Sequence, residues 1–401
     1  MSAWLHIVGI GEDGMVGLSA AARAQVEAAE VIVGGDRHHA LAPNVTAERV
    51  AWPSPFDAMI SVIRGYMGRR VVVLVTGDPL WFSVGARISN PKYDSHIPAG
   101  EIVYHPQLSA FQWAAARMGW SLADVETLTA HGRPAEQIVP SFWPGARMLV
   151  LTAGAQTPGE IAGLLTARGF GESRLTVLGS LGGADEVRIE GTAAEWDAPC
   201  PAFHTLAVEV AGAGRLLPRI PGLPDDAFVH DGTMTKREMR ALTLAKLMPA
   251  RGERLWDIGC GCGSISVEWM RAAPDAEATG IDNRAGRLAY ARENAVQLGV
   301  PRLVLIEGQV PEAMDDLPHP DAVFIGGGLS DAVVAKTLEA LGSGGRLVAN
   351  AVTLESEILL AQMHERHGGE LVRISTAHAE PVGPYRGWRT GMPVTQWSLL
   401  T

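Results

Sequence analysis

Residues 255–266 read Leu-Trp-Asp-Ile-Gly-Cys-Gly-Cys-Gly-Ser-Ile-Ser, with glycine at every second position from Gly259 to Gly263. Such a run continues neither a strand nor a helix. It turns sharply and lets a ligand approach the backbone closely. Residues 254–258 before it form a short, mostly apolar run suited to a buried parallel strand. Ser264 after it is placed to cap a helix whose apolar positions Ile265, Val267, Trp269 and Met270 face a sheet. A second strand, 278–281, ends at Asp282, about twenty residues beyond the loop, where an acid can hold the two hydroxyls of a ribose. The order predicts a doubly wound nucleotide-binding domain. Because a loop of this kind normally opens its domain, the residues upstream need a fold of their own. On spacing alone, NAD and S-adenosylmethionine (SAM) fit almost equally well.

Composition narrows the field. A chain of 401 residues suits two domains. It contains no apolar run of the ~18 residues that a membrane helix needs. Its start runs into a strand-like segment, 4–10, with no basic signal-peptide region. Three cysteines fit a reducing cytosol and predict a cytoplasmic protein. Cys260 and Cys262, with one distant cysteine, cannot build a four-ligand zinc site alone, so no metal is predicted. A net charge of −11 excludes a nonspecific nucleic-acid binder, which needs a basic surface.

Upstream, a strand at 5–8 leads into Gly9-Ile-Gly11-Glu-Asp-Gly14, a literal GxGxxG, then a helix at 20–29, a strand at 31–33, and Asp36. Those facts alone describe an NAD site. However, Met15-Val-Gly17-Leu-Ser19 delays the helix, so the third glycine does not sit where a pyrophosphate would want it. A β-branched strand, 70–75, ends in Thr76-Gly77-Asp78-Pro79, which by itself also reads as a strand-terminating turn. Gly212, Gly214, Pro218, Pro221, Gly222 and Pro224 mark 211–224 as a linker. Beyond it, Thr235 and Glu238 suit a capping box for a helix at 239–247. A helix N-terminus there would also attract carboxylates.

Several motifs carry resemblances. Val8-Gly-Ile-Gly11…Gly17-Leu-Ser19, Gly77-Asp-Pro79 and Ser109-Ala110 opening a helix resemble the tetrapyrrole methylases, or class III SAM methyltransferases, over residues 4–210. His131-Gly-Arg133 is similar to the subgroup that methylates precorrins late in cobalamin assembly. The chain departs from that family at His105-Pro-Gln-Leu-Ser109 and Gly179-Ser-Leu-Gly182, where Pro-Gly-x-Ser-Ser and Glu-Asn-Leu-Gly are common. The resemblance implies that the first glycine loop faces the tetrapyrrole and that SAM lies between two lobes near Gly77, Asp78, Ser109 and Ala110. In the second half, Asp257-x-Gly259-x-Gly261-x-Gly263 resembles the first motif of class I SAM methyltransferases. With Met234-Thr-Lys-Arg-Glu238, Ile325-Gly-Gly-Gly328 and Asn350-Ala-Val-Thr-Leu354, residues 225–401 resemble decarboxylating precorrin methyltransferases. The implied SAM contacts are Thr235, Gly259, Cys260, Gly261, Cys262, Gly263, Asp282, Gln309 and Val310.

Together the resemblances imply an α/β chain, a two-lobed class III domain (1–210) followed by a Rossmann-like class I domain (225–401). They imply SAM-dependent methylation of precorrin-6B at C-5 by the first domain. The second would methylate C-15 and remove the C-12 acetate carboxyl, giving precorrin-8. Two SAM sites and a homo-oligomer, dimer or tetramer, follow from the same resemblance.

The methyl donor is already an electrophile, and a reduced tetrapyrrole is both carbon nucleophile and electron sink. The protein must therefore mainly align reactants and grip carboxylates. The candidate catalytic residues are His131, Arg133, Lys236 and Arg237, with His230 as a further grip, since guanidinium forks suit carboxylates. Each reads equally well as a surface charge. Two other readings stay open: an NAD-linked oxidoreductase using Gly9–Gly14 and Asp36, and a tetrapyrrole carrier with one inactive half. An RNA methyltransferase is disfavoured by the acidic balance.

Overall fold

The strand Val71–Thr76 lacks polar alternation because both of its faces are covered. Val71, Val73 and Val75 pack with Leu5 and Ile7 on one side, and Val72 and Leu74 with Val8 and Ile10 on the other. Continuous apolar runs of this kind belong to parallel sheets. In the computed structural model, which describes residues 3–93 and 95–401, this strand is β4. Its sheet also holds β1 (Leu5–Ile10), β2 (Val31–Val33), β3 (Glu48–Val50) and β5 (Ile102–His105). The order is β3-β2-β4-β1-β5, all parallel. A second sheet is built from β6 (Glu126–Thr129), β7 (Arg147–Leu151), β8 (Arg174–Gly179), β9 (Val187–Thr192) and β10 (His204–Glu209). Its order is β6-β7-β10-β8-β9, and only β6 and β7 run parallel. These sheets are two lobes of one unit, Met1–Ala135 with Ser141–Arg215.

The second unit, Glu136–Pro140 with Leu216–Thr401, is a seven-stranded sheet. Its strands are β11 (Arg254–Ile258), β12 (Glu277–Asp282), β13 (Val304–Glu307), β14 (Ala322–Ile325), β15 (Arg346–Ala351) and β16 (Glu370–Ile374). The next two, β17 (Ala377–Val382) and β18 (Tyr385–Thr390), form a separate hairpin, and β19 (Val394–Leu400) returns to the sheet. The order is β13-β12-β11-β14-β15-β19-β16, parallel through β15, with β19 antiparallel to both its neighbours. Strand order reverses between β11 and β14, and in open α/β sheets ligands bind outside the strand ends at such a switch point. This is the Rossmann-like class I arrangement, and the chain as a whole is α/β.

Local chemistry differs from the sequence reading in two places, both at helix starts. Thr235 and Glu238 form no capping box. The helix runs Arg237–Leu247 with Lys236 at its N-cap and no side-chain cap. Buried Arg240 draws the Thr235 carbonyl to its Nη1 (2.6 Å), and Glu238 lies exposed beside His378. Ser264 is the first helical residue, not the cap; Gly263 holds the N-cap position at φ +74°. The capping oxygen comes from the preceding strand, because Asp257 Oδ2 accepts from Ser266 N (3.0 Å) and Oγ (2.6 Å).

The Pro/Gly-rich stretch 211–224 is hydrogen-bonded at each end within its own unit. Ala211 N donates to Ser173 Oγ (3.0 Å), while Gly222 N and Leu223 N donate to the Glu268 carboxylate.

Candidate active site

In the second unit, the C-terminal ends of β11, β12, β14 and β15 surround a cavity of about 680 Å³. The glycine loop forms its floor. Gly259 has φ +70°, and a Cβ there would stand 2.6 Å from N and Cα of Gly327. The backbone of the triple glycine after β14 thus leaves no room for a side chain at Gly259, while Gly328 itself sits at φ +71°, where a Cβ would stand 2.8 Å from Val310. Gly261, at φ +56°, has its open side towards the cavity, with Thr233 O the nearest atom to a Cβ at 3.9 Å. Gly263 stands behind, where a Cβ would meet Ala291 at 3.0 Å, and it does not line the cavity.

Two carboxylates border the space. Asp282, at the end of β12, is held by backbone amides: Gly261 N donates to Oδ2 and Arg284 N to Oδ1, both at 3.0 Å. Asp257, at the end of β11, is fully buried. Its Oδ2 is satisfied by Ser266, whereas its Oδ1 has no partner among the described residues. Burial pushes its pKa up to about 6, against the pull of the two Ser266 hydrogen bonds. Burial also raises the thiol pKa of Cys262 to about 11 and that of Cys260 further, so both stay protonated. Among the described residues no cluster suits a metal ion.

The cavity gathers Thr235, Lys236, Gly259, Cys260, Gly261, Cys262, Asp282, Gln309 and Val310 of the residues read from sequence. It does not gather Arg237, whose Nε donates to Gly222 O (2.7 Å), or His230, whose Nδ1 accepts from Gly232 N (2.9 Å). Sequence reasoning missed Arg284, Arg287, Thr376 and Met392 of the wall. Arg287 is paired with Asp231 at 2.9 Å. A signal existed for it: Arg284 and Arg287 follow Asp282 directly, one helical turn apart. Thr376 and Met392 flank the β17–β18 hairpin, and no local pattern marks such long-range neighbours.

In the first unit, three loops meet at the ends of β1, β4 and β5. A Cβ on Gly9 would lie 1.8 Å from Gly77 O, and one on Gly77 would lie 2.8 Å from Ser109 Cα. Ser109 and Ala110 open the helix Ala110–Met118 through a capping box, in which Ser109 Oγ accepts from Gln112 N and Gln112 Oε1 from Ser109 N. Asp78 Oδ1 accepts from Leu80 N (2.7 Å), tightening the turn after Gly77. Beside these loops Arg37 pairs with Glu12, donates to Thr76 Oγ1 (3.0 Å) and lies 3.9 Å over the Phe203 ring. His38 Nδ1 accepts from Gly35 N, so its Nε2 donates to Thr76 Oγ1 (3.1 Å). Burial and adjacent Arg37 lower its pKa to about 4, keeping it neutral. His131 and Arg133 follow β6 on an exposed turn, where His131 Nδ1 donates to Thr152 O (3.3 Å). The Arg37–His38–Thr76 group was missed because Thr76 lies far in sequence from the adjacent pair Arg37 and His38.

Two family models match the chain. Residues 4–197 match the tetrapyrrole (corrin/porphyrin) methylases and residues 226–401 the precorrin methyltransferase domain. A precorrin-6Y C(5,15)-methyltransferase (decarboxylating) from Sinorhizobium sp. is 46% identical over 99% of this chain and 96% of its own. One of the same name from Mycobacterium tuberculosis is 40% identical over 98% of each. A crystal structure of the C-terminal domain of precorrin-6Y C5,15-methyltransferase from Rhodobacter capsulatus is 52% identical, with TM-score 0.44. It covers 46% of this chain and 100% of that one. Both matched families are methyltransferases, which the NAD-linked alternative does not predict.

Proposed function

The chain belongs to the precorrin-6Y C(5,15)-methyltransferase (decarboxylating) family, and from that membership we infer its reaction and the division of that reaction between its two units. It methylates precorrin-6B at C-5 and C-15 from SAM and removes the carboxyl of the C-12 acetate, giving precorrin-8. The first unit serves C-5; the second serves C-15 and the decarboxylation. Each unit takes its own SAM. The enzyme is cytoplasmic and a homo-oligomer, the latter readable by sedimentation.

The observation that carries this reading is the second unit's cavity. SAM, when bound, supplies a sulfonium-activated methyl group. The residues fit it: a buried Asp257 oxygen with no partner among the described residues suits its cationic end, and Asp282 is set to receive ribose hydroxyls. The bare backbone of Gly261 admits close approach. Lys236 at the mouth offers a cation to a substrate carboxylate. In the first unit, Gly9 and Gly77 are packed too tightly for side chains, Gly9 against Gly77 O and Gly77 against Ser109 Cα, which supports a shaped backbone surface beside Asp78 and Ala110. Arg133 and His131 are proposed to hold carboxylates of the macrocycle there. Alignment is the main task in both units, because the substrate itself supplies the electrons.

Mass spectrometry of precorrin-6B incubated with the chain and SAM tests the whole. Two methyl gains with one carbon dioxide lost are expected. A product with a single methyl, or one retaining the acetate carboxyl, would overturn the reading.

A further inference from the structure

Residues 217–236 cross to the cavity with only one short 3-10 turn, Asp225–Ala227, yet four polar side chains buried beneath them hold their backbone. Arg271 donates to Leu217 O (2.7 Å). Glu268 accepts from Gly222 N (2.6 Å) and Leu223 N (2.9 Å). Asn294 accepts from Val229 N (2.8 Å), and its amide donates both to Val229 O and to Cys262 O in the glycine loop (2.9 Å each). Arg240 is the hub. Fully buried, it donates to Glu268 Oε1 (2.6 Å), Asp225 Oδ1 (3.2 Å), Leu223 O and Thr235 O (2.6 Å), with its guanidinium 4.7 Å over the Phe228 ring.

None of these four side chains lines the cavity, whereas 232–236 forms one of its walls. Thr233 O stands over Gly261, and the Arg240 bond to Thr235 O fixes the turn between that wall and the following helix. A buried ion pair is poor evidence of net stabilisation, since apolar residues of similar volume often replace it without loss. Its better-attested use is to select one geometry among several.

We propose that Arg240, with Glu268 and Asn294, is a positioning residue for the second unit's cofactor site. It builds the 232–236 wall against the glycine loop before the cofactor arrives. The proposal rests on the reading of that cavity as a SAM site.

The test replaces Arg240→Met together with Glu268→Leu in the full chain. The melting temperature is expected to fall, because Gly222 N, Leu223 N, Leu223 O and Thr235 O lose their partners, while KM for SAM in the C-15 step rises by roughly tenfold or more with kcat recovered at saturating SAM. KM for SAM in the C-5 step should not move. An unchanged KM, or a fall in kcat alone, would overturn the positioning role. A rise confined to the C-5 step would keep that role and overturn the division of labour instead. Amide exchange on the unaltered chain gives an arm that does not depend on the variant folding. Gly222, Leu223 and Val229 amides should exchange slowly before SAM is added. Exchange at the rate of an unstructured peptide until SAM is present would overturn the proposal.

Discussion

Both candidate sites use glycine to bring backbones together, but they present it differently. In the second unit, Gly259 and Gly261, both at positive φ, line one continuous cavity, and two carboxylates border it. In the first, the glycines let separate loops close on one another: Gly9 faces Gly77, and Gly77 faces Ser109. The cationic residues read for the first unit stand on an exposed turn, whereas Lys236 is at the cavity mouth. One site is thus a pocket cut from a single sheet edge. The other is a meeting of loops from separate strands. With SAM proposed for both, the two sites share bare backbone where a ligand must approach and no common architecture.

The paired substitutions Gly259→Ala and Gly9→Ala break this comparison most directly. Each places a Cβ under 3 Å from a backbone atom that cannot swing aside, Gly327 in one unit and Gly77 in the other. Gly259→Ala should cut C-15 methylation and decarboxylation by roughly a hundredfold or more, a ~3 kcal/mol effect, and spare C-5. Gly9→Ala should do the reverse. Product masses read both, and loss of all methylation in either variant would end the division of labour.

Next comes pH. The folded Asp257 carboxyl binds its proton up to pH about 6, well above its ordinary 3.8. The folded state therefore binds more protons than the unfolded one between those values, and stability must fall as pH rises through that window. It then levels off above about 6, with a total loss of about 3 kcal/mol. Denaturant melts of the second unit's transition across that range should show the fall, and Asp257→Asn should remove it. A profile identical in both proteins would refute the buried-acid reading.

Asp282→Ala removes a carboxylate that two amides orient. Second-site SAM affinity should drop by roughly tenfold to a hundredfold with the first site untouched, as calorimetry would report. Smallest of all, Arg133→Ala should raise the substrate KM of C-5 methylation by about tenfold. Stability should change by less than ~0.5 kcal/mol because the side chain is exposed. An equal loss at C-15 would show that the two sites do not act independently.

Much of the scaffold was legible because buried parallel strands announce themselves. The expected spans 31–33 and 254–258 coincide with β2 and β11, whose residues are mostly apolar and buried. Helix starts were less legible. The oxygen that caps the helix after the glycine loop belongs to Asp257 on the preceding strand, and Thr235 is diverted by an arginine in the helix it was read to cap. Arg240 carried a signal that charge obscured: it shares the helical stripe of Leu244 and Leu247, which are buried. Thr376 and Met392 reach the cavity from around a hairpin, and local periodicity holds no record of such neighbours.

The placement of β19 has a consequence for how the protein is made. Although last of the strands in sequence, it lies between β15 and β16 and pairs with both. The ribosome therefore releases β15 with its neighbour still unsynthesised, and at about 5–20 residues per second that neighbour follows on the order of seconds later. Every strand of the first unit is translated long before then. Translation thus completes every strand of the first unit while the sheet of the second still has an open slot between β15 and β16.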